Sequence, residues 1–424
     1  MTQFKASFLL YLFFSLNAAK AETLEEAWGT ALNSNHQIKA AQANTQASQE
    51  SLLAAQGQML PQLNFRSGYT QYNESPGAKT TIEGQTVNFT TQQAGSVNAQ
   101  ALASIPIFTS GKITQNIHAA QANLSATQAN ETVIELDLKM RIADAYISVL
   151  RAESLLEVVK QHLESLTAHA HDVQNQFEQG IVARNDILAA NVEVLNAQQA
   201  ITYTATQLDN AKAQYNQLLT RPLTQAVQLA KKFPSLPKEN EETLTDNALK
   251  NRPELLVLTQ KIDELEAQKE GVKADLLPQV SANGGYNYQQ NRYQAHEGLW
   301  MANVGVEWKA FDGTTSHKSD SLTRQVLALQ EQKETLQAQI QLQIRQAWLE
   351  SQETQQRITV AQQAITQANE NSKVMNDRYQ QGLATHTDVI HAEDLRTTSY
   401  QNWHQATYDL ALATLRLQRA LGNL

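Results

Sequence analysis

Apolar residues recur at helical spacing over two very long segments of the chain. In residues 113–177 the apolar positions follow a helical period, and no glycine or proline occurs between Gly111 and Gly180. At 1.5 Å per residue this segment predicts one helix roughly 100 Å long. A second long helix is predicted over 316–378, and shorter helices over 37–60, 183–220, 254–277 and 384–420. Two short helices placed end to end match one long helix in length.

Other segments alternate between apolar and polar residues, which is the pattern of β-strands. One apolar set is Val280, Ala282, Gly284, Tyr286 and Tyr288, and the next is Trp300, Ala302, Val304, Val306 and Trp308. Similar sets occur earlier, with Leu63, Phe65 and Tyr69 followed by Val97, Ala99, Ala101, Ala103, Ile105 and Ile107. The chain therefore predicts four strands of about ten residues, the length that a tilted strand needs to cross a bilayer.

Aromatic residues lie at the ends of one apolar strand face, as in transmembrane barrel strands. Tyr286, Tyr288, Trp300 and Trp308 are the predicted membrane girdle, in contact with outer-membrane lipid. Four strands are too few to close a barrel, and open strand edges in lipid are costly. The predicted barrel is therefore shared between chains. The alternative is a pair of β-hairpins packed on the helices of a soluble protein.

The chain is internally duplicated. Leu60-Pro61-Gln62-Leu63 returns as Leu277-Pro278-Gln279-Val280, and Phe177-Glu178-Gln179-Gly180-Ile181 returns as Tyr379-Gln380-Gln381-Gly382-Leu383. The spacing between the copies shortens between these two motifs, because the segment from Tyr69 to Phe108 is longer than its counterpart. An insertion confined to one place predicts a surface loop there.

The duplication and the N-terminal residues predict the domain organisation. Lys5, an apolar run over 6–16 and Ala19-Lys20-Ala21 follow the layout of a secretory signal peptide, assigned to residues 1–21. The first repeat is predicted over 22–220 and the second over 243–424. A proline-containing linker over 221–242 is expected to connect them, without forming a third domain.

Composition and charge exclude several functions. The formal net charge is −9, so nucleic acid is not an expected partner, and the chain has no cysteine for disulfides, thiolate metal sites or lipidation. His162, His169 and His171 do not have the spacing of a metal site and are predicted to be solvated. No constellation of catalytic residues is found, so neither an enzyme, a cofactor nor a metal is expected.

The duplicated motifs, in their order and spacing, resemble the TolC-like outer-membrane factor family over nearly all of the mature chain. The resemblance implies a mainly α fold with a small transmembrane β part. Three chains would form a homotrimer with a 12-stranded β-barrel joined to a 12-helix periplasmic α-barrel. A periplasmic membrane-fusion adaptor would dock at two helix turns, made by Gly180, Ile181, Val182 and Ala183, and by Gly382, Leu383, Ala384 and Thr385.

The resemblance also implies a gate at the periplasmic entrance. By position, Tyr379 matches a gate tyrosine, Asp186 its partner and Asp388 an aperture acid. Ala384 stands where relatives can carry an arginine, and His391 where they can carry a second acid. His391 lies one turn beyond Asp388, so its protonation is expected to alter the charge of the aperture. The alternative is that both aspartates are helix N-caps.

The function implied is an exit duct in the Gram-negative outer membrane, extending into the periplasm. It would passively conduct substrates from an inner-membrane pump of the ABC or RND type, in a tripartite efflux or type I secretion system. The competing interpretation is a soluble periplasmic coiled-coil adaptor or scaffold. Paired tryptophans on an apolar strand face favour the duct, and the sequence leaves the cargo open.

Overall fold

The computed structural model describes residues 21–237 and 239–424; most of the predicted signal peptide lies outside these residues. The helices are α1 (Leu24–Ser34), α2 (His36–Gly57), α3 (Lys112–Glu178), α4 (Arg184–Leu218), α5 (Glu241–Asn251), α6 (Pro253–Lys273), α7 (Thr315–Gln380) and α8 (His386–Leu421). The strands are β1 (Gln62–Gln71), β2 (Gly77–Ile82), β3 (Gln85–Thr90), β4 (Gly95–Phe108), β5 (Gln279–Gln289) and β6 (Gly298–Glu307).

The predicted helices are confirmed, with boundaries set by local chemistry. α3 has 67 residues and α7 has 66, as the uninterrupted helical pattern requires. Each copy begins with two helices where the sequence predicted one. α1 starts with a capping box between Thr23 and Glu26. It ends before Asn35, whose backbone is extended. α6 has Pro253 in its first turn, where a backbone N–H has no partner inside the helix, so proline loses no hydrogen bond there.

The chain forms two compact units, and each is built from both copies. The first comprises Met1–Lys39, Ile134–Asn251 and Ile340–Leu424, of which residues from Ala21 onward are described. The second comprises Ala40–Val133 and Arg252–Gln339.

The core of the first unit surrounds two tyrosines, Tyr146 on α3 and Tyr215 on α4, both fully buried. The Tyr146 hydroxyl donates to the backbone oxygens of Glu22 and Ala230, at 2.8 and 2.6 Å. The Tyr215 hydroxyl donates to the Glu22 carboxylate at 2.9 Å, and Arg221 binds the same carboxylate with two nitrogens. The predicted linker is therefore part of the core, because Val227 and Leu229 are buried in it. α5 begins at Glu241, so its first two residues lie inside the predicted linker.

Side-chain contacts give the order of the long helices in this unit. α4 contacts α3 through Lys212 and Glu153, 3.5 Å apart. α3 contacts α8 through a 2.6 Å ion pair between Arg151 and Asp409 and a 2.8 Å bond between Ser154 and Tyr408. α8 contacts α7 through Arg416 and Glu350, 2.8 Å apart. α3 and α8 are thus the central pair, with α4 and α7 on either side.

The second unit contains an antiparallel four-stranded sheet in the order β1-β4-β5-β6. β4 pairs with β5, which joins the two copies. β1 and β6 each have one partner, so both edges of the sheet are open within the chain. The prediction of four strands is right for this sheet but wrong for the chain, because the described residues contain six. β2 and β3 form a separate hairpin inside the segment predicted as a surface loop.

Candidate functional site

The two predicted docking turns have the same backbone geometry. In the first turn, residues 179–183, the Gly180 N–H donates to Phe177 O at 2.8 Å and the Ile181 N–H donates to Gln176 O at 2.9 Å. In the second turn, residues 381–385, Gly382 and Leu383 make the equivalent bonds to Tyr379 and Arg378, at 3.0 and 2.8 Å. This is the Schellman helix end. Gly180 and Gly382 have φ of 73° and 70°, which favours glycine.

Asp186 and Asp388 are the third residues of α4 and α8, and each carboxylate accepts a hydrogen bond from the N-cap residue. The aspartates thus help to cap the helix starts, but they are not the N-cap residues that the alternative interpretation predicted. The Ala183 N–H donates to the Asp186 carboxylate at 3.3 Å, and the Thr385 N–H donates to the Asp388 carboxylate at 2.8 Å. Hydrogen bonds from Thr385 hold the pKa of Asp388 below its usual value. His391 is exposed and lies close enough for its charge to act on Asp388. Capping does not compete with an aperture role, since Asp388 stays exposed.

The side chains of the turns divide into a buried and an exposed set. Val182 and Ala384 pack against a small core made by Val173, Ala190, Tyr379 and Val389. Ile181 and Leu383 occupy the same position in their turns, and each is 65% exposed. Ala183 and Thr385 are the N-cap residues of α4 and α8. Each turn thus carries one large apolar side chain in solvent.

Tyr379 lies in this small core, and its hydroxyl is buried without a hydrogen bond. The carboxylate of Asp186 is close enough to raise the pKa of Tyr379, although burial is the larger cause of that rise. The implied bond between Tyr379 and Asp186 is not formed in this structure. The ring instead packs edge-on against His169, with 5.0 Å between ring centroids.

His169 is buried and pairs with the partly buried His386, a contact that the sequence did not predict. It is 6% exposed, so the prediction that it is solvated was wrong. Its Nε2 lies 2.8 Å from Nδ1 of His386, the first residue of α8, and the two rings are stacked with centroids 4.9 Å apart. One signal for this pair was present in the sequence: His386 directly follows the second turn, where the chain returns toward α3.

Replacing Tyr379 with phenylalanine should leave the free energy of unfolding unchanged or raise it by up to about 1 kcal/mol. The reason is that the variant removes a buried hydroxyl that has no partner. Thermal melting of the purified protein in detergent measures this. Tyr215→Phe is the matched control and should lose about 1.5–3 kcal/mol, because its hydroxyl bonds to a carboxylate. Equal losses in both variants would contradict this geometry.

In the second unit, strand register places the predicted apolar strand residues on one face of the sheet, except Ile107, which lies at a bulge where Phe108 pairs with Val280. Phe65 pairs with Ala101, Ala101 with Tyr286 and Tyr286 with Trp300, which gives one row across all four strands. The neighbouring pairs on β5 and β6, Ala282 with Val304 and Val280 with Val306, continue the same face. Trp300 is 82% exposed and Phe65 is 77% exposed, so this face is uncovered within the chain.

The opposite face of the sheet is polar. Asn283 on β5 donates from Nδ2 to Oδ1 of Asn303 on β6 at 3.1 Å, and Ser104 lies opposite Asn283 on β4. Arg66 and Gln100 pair two rows further along the same face. The sheet therefore has one apolar and one polar surface, with no layer of the second unit's own side chains burying the apolar one.

The predicted girdle residues are spread over this face and its margin. Tyr286 and Trp300 are in contact, with ring centroids 5.3 Å apart. Tyr288 lies at the end of β5 and donates to Glu297 at 3.0 Å. Trp308 was predicted to lie on the strand, but β6 ends one residue earlier, at Glu307. Its indole N–H donates to Leu276 O at 3.1 Å.

Two further observations concern the part of the chain that the structure describes. No group of three or more His, Cys, Asp or Glu side chains there is arranged to hold a metal ion. None of the helices in these residues combines the length and the apolar character needed to cross a bilayer.

Comparison with known proteins identifies the class. The outer membrane efflux protein family matches residues 28–221 and 244–423. These are nearly the whole of both repeats. The chain belongs to this family. It is an outer-membrane efflux channel protein, which decides against the soluble adaptor or scaffold.

Individual relatives agree with this assignment. The chain is 23% identical to outer membrane protein TolC of Vibrio cholerae over 421 residues, 96% of this chain and 92% of that protein. It is 23% identical to the alkaline protease secretion protein AprF of Pseudomonas aeruginosa, over 68% of this chain and 62% of that protein. The fold is similar to that of VceC of Vibrio cholerae, with a TM-score of 0.79 and 17% identity, over 94% of this chain and 96% of that one.

Proposed function

We propose that this chain is one protomer of a homotrimeric exit duct, which passively conducts substrates received from an inner-membrane pump through a periplasmic adaptor. The observation that carries the proposal is the four-stranded sheet, which is open at both edges and has an exposed apolar face. In a bilayer this apolar face would contact lipid, so exposing it would not carry the free-energy cost that it carries in water. Lipid does not remove the cost of unpaired edges, so pairing between copies is required.

Three copies satisfy the edges by one repeated contact. β6 of one protomer would pair with β1 of the next, which makes a closed barrel of about 12 strands. A head-to-tail contact of this kind closes into a ring when the rotation per subunit allows it. The polar face would then line the lumen, while Tyr286, Tyr288, Trp300 and Trp308 would face lipid.

The helices of the first unit support the same assembly. α4 exposes one apolar stripe and α7 another, and every member is 39–68% exposed. The α4 stripe consists of Leu188, Val192, Leu195 and Tyr203, and the α7 stripe of Leu342, Leu349, Val360 and Val374. Helical spacing puts each set on a single face. Because α4 and α7 flank the central pair, an α4 stripe can pack on the α7 stripe of the neighbouring copy.

The two turns are proposed as the adaptor-docking tips. Their exposed side chains, Ile181 and Leu383, repeat at equivalent positions, so three copies would present six such apolar contacts. Gly180, Val182 and Ala183, with Gly382, Ala384 and Thr385, shape the turns that carry them. The family is named for efflux and AprF for protease secretion. We therefore propose one duct that serves an ABC or an RND pump according to the adaptor bound.

The proposed gate lies beside the turns. Asp388 and His391 would face the aperture, and Tyr379 would hold α7 in place through its ring. Asp186 would act on Tyr379 by its charge, since the hydroxyl does not bond to it.

Conductance across a planar bilayer tests the duct directly. The purified protein should form trimers that conduct ions and that prefer cations, because Asp388 is exposed and ionised. Preference for cations should be weaker at about pH 5 than at about pH 8, because a positive charge on His391 would act on the neighbouring Asp388 carboxylate. His391→Ala should remove that dependence, whereas the control His171→Ala, also exposed, should keep it. Absence of conductance would refute the duct, and unchanged pH dependence in His391→Ala would refute the role of His391.

A further inference from the structure

The contact between α3 and α8 next to the turns combines the small core, with Val173 on α3 and Val389 on α8, and several bonds between polar side chains. Arg396 on α8 donates to Ser165 on α3 at 2.7 Å, and Thr397 bonds to His162 at 2.9 Å. Closest to the second turn, His386 bonds to His169. Further from the turns the same two helices are joined by the buried residues Tyr408, Ala411 and Leu415 of the main core. This end of the contact has fewer buried apolar side chains than the main core, and segments with few buried apolar contacts open at a lower cost.

The histidine pair can bond across this contact only while one of the two facing nitrogens lacks a proton. One ring nitrogen must donate and the other must accept across the 2.8 Å separation, so the two facing nitrogens share a single proton. A second proton between them would leave two donors facing each other. Charging His169 would also place a cation in a buried site, stacked on the partly buried His386 ring at 4.9 Å.

We propose that the His169–His386 pair is a proton-operated latch, which holds the start of α8 against α3 at neutral pH and releases it on acidification. The inference rests on the proposed duct and adds a regulation to its entrance. Release would free the α7–α8 turn and the adjacent Tyr379, whose ring packs on His169 and whose hydroxyl has no bond to retain it.

Charged and titratable groups face the pair from every helix packed around it. They are Asp172 on α3, Asp186 and Glu193 on α4, Tyr379 on α7, and Glu393 on α8, which is itself paired with Arg396. The four carboxylates favour a charged pair, while burial opposes it. Burial is the largest influence on both histidines. The pair is therefore neutral at pH 7. Once α8 moves and the histidines are solvated, the nearby carboxylates would stabilise their positive charge.

The direction of the pH effect follows from this balance. Burial lowers the pKa of His169 to about 4, and it also lowers the pKa of His386. A histidine whose folded-state pKa lies below the ordinary value contributes stability that is fully present above about pH 6.5. That contribution is lost as the pH falls toward about 4. The latch is thus closed in neutral medium and opens in acid.

Distance measurement between spin labels tests the latch without reference to transport. The chain has no cysteine, so a double variant with Thr167→Cys on α3 and Thr387→Cys on α8 takes spin labels at these two exposed positions and nowhere else. Labelled protomers are diluted with unlabelled chain so that pairs within one protomer dominate. Lowering the pH from about 7.5 to about 4.5 should lengthen and broaden the interlabel distance. His169→Phe, which keeps a ring against Tyr379, should abolish the change, and so should His386→Asn.

His171→Ala, an exposed histidine two residues away on α3, should leave the change intact. A distance that does not respond to pH in the native background would overturn the latch. A response that persists in both His169→Phe and His386→Asn would also overturn it. If one variant does not fold, the other alone decides.

Conductance then separates the latch from the duct. Acidification should raise single-channel conductance several-fold in the native trimer and leave it unchanged in His169→Phe. A trimer that conducts but shows no histidine-dependent rise would overturn the latch as a regulator, while the duct stands. A protein that does not conduct at any pH would overturn the duct, and the label distances would still decide whether the latch exists.

Discussion

Replacing Tyr146 with alanine should lower the free energy of unfolding of the helical unit by about 3–5 kcal/mol. The ring is fully buried in the main core and meets Tyr215 edge-on, with 6.0 Å between centroids. Its hydroxyl also joins two backbone oxygens, of Glu22 and Ala230, which lie before the first helix and in the linker. Alanine would leave a cavity and two buried oxygens with one partner fewer. Chemical denaturation of the purified protein in detergent measures the loss.

Two variants make this result interpretable. Tyr146→Phe keeps the ring and should lose only about 1–3 kcal/mol, since it removes the hydroxyl alone. Ser148→Ala changes an exposed residue of the same helix and should stay within about 0.5 kcal/mol of the native protein. If Tyr146→Ala were as stable as Ser148→Ala, the linker and the N-terminal segment would not be held by this core.

Placing arginine at Val304 should cost about 2–4 kcal/mol of membrane-inserted stability, the range for a cation on the lipid face of a barrel strand. Val304 lies mid-strand on β6 and is 69% exposed on the apolar face. The matched control is Asn303→Arg, one residue earlier on the polar face, where the side chain would enter water. Folding into vesicles, followed by denaturant titration, compares the two.

The comparison is informative because the two variants share charge, size and strand. Val304→Arg should fold poorly and be depleted from the outer-membrane fraction of cells, while Asn303→Arg should behave like the native protein. Equal tolerance of arginine at both positions would show that the apolar face does not meet lipid.

The helical part of the fold was predictable because long-range packing and local pattern agree there. The run from Gly111 to Gly180 has no helix breaker, and α3 occupies almost all of it. The turns were also predictable, since a glycine at φ near 70° is a local requirement repeated in both copies. Strand alternation located the sheet faces for the same reason, as each strand carries its own period of two.

The misses arose where tertiary contacts decide. The hairpin of β2 and β3 carries a short apolar alternation, with Ile82, Val87 and Phe89 on one face, but the sequence prediction treated the whole segment as a surface loop. His169 is polar, although Leu166 and Val173 on the same face of α3 are apolar and buried, so the helical period was a signal of its burial that the prediction did not use. Its partner is created only by the return of the chain at His386. The implied bond of Tyr379 to Asp186 could not be assessed from sequence, because the ring has a competing neighbour in His169.

Disulfide trapping between sheet edges tests the central claim most directly. Within one chain β1 and β6 are three strand spacings apart, roughly 14 Å, which is beyond the reach of a disulfide. Asn64→Cys on β1 is combined in turn with Met301→Cys, Asn303→Cys and Gly305→Cys on β6, all on the polar face, and the chain supplies no other cysteine. Oxidation in outer membranes should convert at least one of these pairs to a covalent trimer. Monomers alone in all three, with the protein present in the membrane, would contradict a barrel shared between copies.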